Sequence, residues 1–257
     1  MKNIQVKING KTCIIYINRA EAYNALNISV LNEFKSILEE YKDSKLIRSL
    51  ILTGKGNKAF IAGADIKAMS LMNPDEACKF SQLGNDITLL MDNYPKPIIA
   101  AINGFALGGG CEFAMACHVR FASDKAIFGQ PEIGLGLIPG FGGTQRLPRI
   151  VGLSNAYKIL LSGEVINAKE ARRIGLISDI FEHNLLVDEA IKFSEKINSK
   201  SPFSSKLIIE LVNKGISQKM KDALTLETQC FKKVFNNENK DIGIEAFLNK
   251  EKPEFKD

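Results

Sequence analysis

An α/β fold followed by a helical C-terminal section is the architecture this sequence predicts, and three observations carry the prediction. Short β-branched segments alternate with stretches of helical periodicity as far as about residue 190. After about residue 142 the texture changes and apparent helices dominate. No Pro/Gly/Ser-rich linker, low-complexity tract or sequence repeat interrupts the 257 residues, so 1–190 reads as an α/β core and 191–257 as a helical region joined directly to it.

The elements follow in order. IQVKI and TCIIYI flank NGK, a hairpin signal with Asn9-Gly10 at the turn. Val30, Leu31, Phe34, Ile37, Leu38 and Tyr41 then recur at spacings of three and four, the stripe of a half-buried helix. LIRSLILTG reads as a buried strand ending in Gly54. The segment 73–94 opens as a helix, with Asn73 as cap, Pro74 in the first turn, and Asp75 and Glu76 at the positive end of the dipole. PIIAAI is a strand, GGGCEFAMA a turn running into a helix, and VRFAS and AIFGQ further short strands. Helices are expected around 155–161, 168–174, 187–198, 204–213, 220–235 and 242–250, with LISDIF the one strand among them.

Composition excludes several functions. Hydrophobic residues make up 45 %, enough for a sizeable core, and no run of 18 apolar residues marks a membrane span. The N-terminus alternates like a strand and lacks the apolar core of an export signal, so a cytoplasmic location is expected. Cys13, Cys78, Cys111, Cys117 and Cys230 are scattered, and read as reduced core thiols. A net charge of +5 is spread along the chain, without an Arg-rich block, which argues against nucleic acid while suiting a small phosphorylated ligand. No Walker A motif or nucleophile elbow is present. The scarcity of histidine (His118 and His183 only), with no close cysteine pair, argues against a zinc site.

Charge is missing where chemistry would be. Ile98 to Ala116 holds one charged residue, Glu112, and Ala126 to Gln145 holds one, Glu132. At the chain's charged fraction of 25 %, these windows should share about ten. Ten of the twenty glycines also fall between Gly104 and Gly143. Glycine loses backbone entropy on ordering, so such a concentration means tight turns, bare N–H groups offered to a ligand, or both. Each acid has a structural alternative, Glu112 as a first-turn helix residue and Glu132 in a loop salt bridge. Together, in apolar surroundings that raise a carboxyl pKa, they suit two-proton acid–base chemistry beside backbone oxyanion donors. Glycosidases use paired carboxylates too, so the pattern leaves the reaction open.

AFIAGADIKAM (59–69), NGFALGGGCEFAMAC (103–117) and FGQPEIGLGLIPGFGGTQRLPR (128–149), with the tail GIEAFLNKEKPEF (243–255), closely resemble the crotonase, or enoyl-CoA hydratase/isomerase, superfamily. The likeness runs essentially the full length and is greatest to its short-chain hydratases, the 3-hydroxybutyryl-CoA dehydratases. It implies a crotonase (ClpP/crotonase-like) spiral of ββα repeats with two sheets and a C-terminal helical trimerisation region, assembled as a homotrimer or a homohexamer. It implies an oxyanion hole of the Ala64 and Gly109 N–H groups, with glycine at 109 sparing the thioester a crowding side chain. Glu112 and Glu132 match the catalytic pair that holds one water, and Gly140 a glycine whose N–H positions it. The ADIK segment (Ala64, Asp65, Ile66, Lys67) matches a substrate-binding stretch near the CoA nucleotide. Lys250 and Phe247 match tail residues that approach the CoA 3′-phosphate and adenine from a neighbouring subunit. The implied reaction is reversible syn hydration of short trans-2-enoyl-CoA thioesters to (3S)-3-hydroxyacyl-CoA, with neither metal nor separate cofactor, because coenzyme A is part of the substrate.

Two departures stand out: Cys117 is followed by His118 where the family often has an acid, and Glu251 interrupts a tail that is often more basic. An enoyl-CoA isomerase or other acyl-CoA enzyme, a noncatalytic RNA-binding homologue, and a structural subunit of a larger complex remain as alternatives.

Overall fold

The computed structural model describes residues 2–257. Its strands are β1 (Ile4–Asn9), β2 (Thr12–Ile17), β3 (Ser49–Gly54), β4 (Ala59–Ile61), β5 (Ile98–Ile102), β6 (Phe105–Leu107), β7 (Val119–Ser123), β8 (Ile127–Gly129), β9 (Val165–Asn167) and β10 (Asp179–Phe181). The helices of the first half are α1 (Ile28–Lys42), α2 (Ile66–Met69), α3 (Pro74–Asp92) and α4 (Gly109–Ala116). Those of the second half are α5 (Gly143–Val151), α6 (Leu153–Ser162), α7 (Ala168–Arg173), α8 (Leu186–Asn198), α9 (Pro202–Gly215), α10 (Met220–Phe235) and α11 (Glu238–Asn249).

Two sheets organise these elements. Six strands run in the order β1-β2-β3-β5-β7-β10, and four in the order β4-β6-β8-β9. Among the described residues only the β1–β2 hairpin and the β8–β9 pair are antiparallel. The chain winds as a repeated unit: β3-β4-α3, β5-β6-α4 and β7-β8-α5 each lay one strand in the large sheet and the next in the small one. The spiral is therefore a repeat of geometry, invisible as a repeat of residues because each unit requires only apolar strands and a turn.

Burial explains the sequence pattern. The large sheet is covered on both faces, so β2, β3 and β5 are apolar without alternation. One face meets α1 and α3 through Leu31, Phe34, Leu52, Ile87 and Ala100 in the main core. The other is sealed by α8, where Leu186 and Ala190 pack on Ile14, Ile51, Ile99 and Phe121. Helix α1 buries Val30, Leu31, Phe34, Ile37 and Leu38, five residues of the expected stripe. Helix α3 closes a full capping box: Asn73 Oδ1 accepts from Glu76 N at 3.0 Å, and Glu76 Oε2 from Asn73 N at 2.9 Å.

Several elements differ from expectation. β4, β6 and β9 are three residues each, too short to show a period. Helix α5 carries Pro148 inside it and opens at a glycine pair, both of which disguise a helix. Helix α11 begins at Glu238, earlier than expected, because Asn237 caps it by accepting from Asn239 N. All five cysteines are free, but Cys78 is exposed on α3 and is no core thiol. No helix among the described residues is long and apolar enough to cross a membrane.

Candidate active site

The segment Ala62–Ala64 follows β4 and runs beside Leu26 as a parallel bridge. Leu26 N donates to Gly63 O at 2.9 Å and Asp65 N to Leu26 O at 2.8 Å, which turns the intervening Ala64 N–H the other way. At the end of β6 the chain makes a sharp turn at Gly108 (φ +49°), a conformation that favours glycine, and enters α4 at Gly109. A first-turn N–H has no partner within its own helix. Among the described residues neither the Ala64 nor the Gly109 N–H is engaged in a hydrogen bond, and both residues line one cavity of about 400 Å³.

Glu112 lies one turn into α4 and is 1 % exposed. Its Oε1 accepts from Phe141 N at 2.8 Å and Gly143 N at 2.6 Å, the two peptides that lead into α5. Burial pushes its pKa up from 4.5 to about 7; the Gly143 N–H draws it down, and the neighbouring Glu132 carboxylate raises it again. Glu132 sits on the short 3₁₀ turn Pro131–Leu135 after β8, half-buried, and burial raises its pKa too. Buried Gln130, its amide nitrogen turned to the acid, donates to both Glu132 oxygens at 3.1 and 3.2 Å. The two acids line the same cavity.

The glycines around them carry a correction. A Cβ at Gly109 would meet the Phe141 ring at 3.2 Å and Leu26 at 3.5 Å, so it points into the core and would not crowd a thioester. The glycine that leaves room at the site is Gly108, whose Cβ would stand 2.5 Å from Glu132 Oε1.

Of the residues singled out in the sequence, Ala64, Ile66, Gly109, Glu112, Glu132 and Gly140 line the cavity. Gly140 O accepts from Ser81 Oγ at 2.6 Å and Asn85 Nδ2 at 3.1 Å, while its N–H is unpartnered among the described residues. Asp65 does not line the cavity. Its carboxylate caps α2 by accepting from Ala68 N and pairs with Arg19 at 3.1 Å, fixing the loop that presents Ala64. Lys67 is exposed beside Ile66, and Phe247 and Lys250 lie on and just after α11, away from the cavity. His118, at the departure from the family pattern, is structural: its Nδ1 accepts from Ile98 N at 2.9 Å.

Sequence reasoning missed the cavity's apolar walls, Met69, Phe80, Leu137, Ile138 and Phe141, which read as ordinary core or loop positions. It also missed Gln130, whose signal was only a polar residue beside Pro131-Glu132 in an uncharged window. No cluster of three or more His, Cys, Asp or Glu able to hold a metal occurs among the described residues.

Fold and site together define an α/β enzyme with an acid-lined apolar cavity and two open backbone amides. The sequence profile described as enoyl-CoA hydratase/isomerase matches residues 7–257. A short-chain-enoyl-CoA hydratase of Clostridium acetobutylicum is 42 % identical over 254 residues, covering 99 % of this chain and 97 % of that protein. A crotonyl-CoA hydratase of Syntrophomonas wolfei is 43 % identical over 254 residues, covering 99 % and 98 %. The crystal structure of an enoyl-CoA hydratase from Bacillus anthracis superposes with a TM-score of 0.97 at 36 % identity, covering 99 % of each chain. The chain belongs to the enoyl-CoA hydratase/isomerase family, and its fold is the crotonase spiral of that family.

Proposed function

We propose that this cavity reversibly hydrates short-chain trans-2-enoyl-CoA thioesters to (3S)-3-hydroxyacyl-CoA. The observation that carries the reading is the convergence of Glu112, Glu132 and the free Ala64 and Gly109 amides on one apolar cavity. The names of the Clostridium and Syntrophomonas relatives support the substrate class.

The chemistry follows from the groups. Ionised Glu112, its Oε1 held by two peptide N–H groups, takes a proton from a water whose oxygen bonds to the β-carbon. The C=C electron pair moves toward the thioester oxygen, where the Ala64 and Gly109 N–H groups receive the developing charge. One such donor is typically worth about 3 kcal/mol. Protonated Glu132 then gives its proton to the α-carbon, so both additions come from the same face. The Gly140 N–H holds the water. In dehydration each acid reverses its role. Burial raises both carboxyls and so favours a proton held between them, and hydration runs from the state in which that proton is on Glu132.

The same reading makes the protein a homotrimer or dimer of trimers assembled through residues 191–257. Its support is the apolar surface of that region, where Val212, Ile216, Met220, Phe231, Phe247 and Leu248 are all more than half exposed. Phe247 and Lys250, which do not line their own cavity, fit contact with CoA bound to a neighbouring subunit, and Lys67 beside Ile66 fits contact within the subunit. Five free thiols suit a reducing, cytoplasmic compartment.

The test is a panel of enoyl-CoA thioesters from four to sixteen carbons, followed by loss of the conjugated double bond. Fastest turnover at four carbons is expected; no turnover across the panel refutes the assignment, and double-bond migration without hydration favours the isomerase.

A further inference from the structure

The segment that holds Glu112 is itself held by a frame that the reaction above does not use. Ser81, Asn85, Thr88 and Asp92 recur on α3 at spacings of four, three and four, one polar stripe along the helix. Each reaches the 140–146 segment. Ser81 and Asn85 donate to Gly140 O; Thr88 Oγ1 donates to Phe141 O at 3.3 Å. Asp92 accepts from Arg146 through both carboxylate oxygens, Nε at 3.3 Å and Nη2 closer. Arg146 Nη1 in turn donates to Phe141 O at 3.0 Å. The peptide whose N–H, that of Phe141, holds Glu112 is therefore gripped at its carbonyl, Gly140 O, by Ser81 and Asn85, while Thr88 and Arg146 hold the next carbonyl, Phe141 O. The loop is built around this guanidinium: a Cβ at Gly142 (φ +99°) would stand 2.1 Å from Arg146 Nη1.

We propose that the α3 stripe and Arg146 form a positioning frame for Glu112, acting through the Phe141–Gly143 peptides, with the Asp92–Arg146 pair as its anchor. This rests on the reading of Glu112 as a catalytic acid–base. A bidentate Arg–carboxylate fork fixes direction as well as distance, which a peptide donor aimed at a catalytic oxygen requires. The Asp92 carbonyl is also met by His118 Nε2 at 3.2 Å and by Asn213 of α9, so the anchor is tied into the C-terminal helices.

The titratable and charged groups around Glu112 are few. They are Glu132 from the turn after β8, Arg146 from α5 and, behind it, Asp92 from α3; β4 and β6 carry none. Cys111, beside Glu112 on α4, is a buried thiol pushed up to about 12 and stays neutral. The Arg146 charge is among the influences that lower the Glu112 pKa.

The experiment compares Arg146→Gln, Arg146→Lys and Asp92→Asn with the parent enzyme in hydration of crotonyl-CoA across pH, alongside Glu112→Gln. Arg146→Gln is expected to lower kcat by roughly 10- to 100-fold with KM little changed, as for a small misplacement of a reacting group. It should also move the acid limb of the kcat/KM profile to higher pH, since a cation that favours ionised Glu112 is gone. Asp92→Asn leaves the guanidinium charged but loosely held, so kcat falls comparably while that limb does not rise. Should Arg146→Gln fail to fold, Arg146→Lys carries the test: it keeps the charge and loses the fork, so kcat falls with the limb unmoved. Folded Arg146→Lys and Asp92→Asn with the parent's kcat and pH profile overturn the frame. Full turnover in Glu112→Gln overturns the reading of Glu112 instead, so the two failures are distinguishable.

Discussion

Glu112 and Glu132 face one cavity from supports of different stiffness. Glu112 rises from a helix buried on all sides, with one oxygen fixed by two peptide N–H groups. Glu132 stands half-buried on a five-residue 3₁₀ turn whose neighbours Ile133, Leu135 and Leu137 are exposed, steadied by the Gln130 side chain. The comparison teaches that two acids shifted in the same direction are made by different means. One is desolvated by a rigid core; the other depends on a turn lying against Gly108.

The largest effect that bears on this contrast is loss of turnover. Glu132→Gln and Glu112→Gln should each cost on the order of 10³-fold in kcat with crotonyl-CoA while the fold survives. The double variant should lose little more, because the acids act as a unit. Multiplicative losses in steady-state kinetics would show that they act separately.

Stability should separate them next. The folded chain keeps the Glu112 proton until about pH 7, whereas an unfolded chain releases it near 4.5. The native state thus binds more protons between those values, and stability is lost as pH rises through that window. Glu112→Gln removes the charge that burial penalises, and should gain roughly 3 kcal/mol over the parent at pH 8 relative to pH 4 in urea unfolding. Half-buried Glu132→Gln should gain less in the same measurement. Equal gains would erase the distinction between the two supports.

The glycines beside each acid give the smallest and sharpest test. Gly108→Ala places a methyl 2.5 Å from Glu132 Oε1 at a φ of +49° and should cost about 100-fold in kcat/KM. Gly143→Ala brings its methyl to 3.0 Å from Glu112 Oε1 and should cost about tenfold. The reverse ranking would mean that Glu112, not Glu132, has the narrower tolerance.

What could be read from residues alone follows the range of the interactions involved. The α1 stripe, the α3 cap and the β1–β2 turn depend on neighbours within a few positions, and all stood in the sequence. The two acids were legible for another reason: clearing charge from Ile98–Ala116 and Ala126–Gln145 leaves Glu112 and Glu132 conspicuous. The alternation of strands between two sheets was not, since β4, β6 and β9 acquire their form only from partners far along the chain. Nor was the direction of the absent side chain at Gly109, because Phe141 reaches it from 32 residues away in sequence. Ser81, Asn85, Thr88 and Asp92 did stand at helical spacing, but a polar stripe has meaning only once the loop it holds is in view.

One contact fixes a dimension of the site. At Gly110 an added methyl would stand 1.8 Å from Ile61 O, so the start of α4 rests directly on the strand that leads to Ala64. The gauge between the two cavity-lining residues that carry open amides, Ala64 and Gly109, is consequently cut in main chain, backbone seated on backbone. Side-chain drift in the flanking walls, at Met69, Phe80 or Ile138, can reshape the room for an acyl tail while that gauge keeps its width.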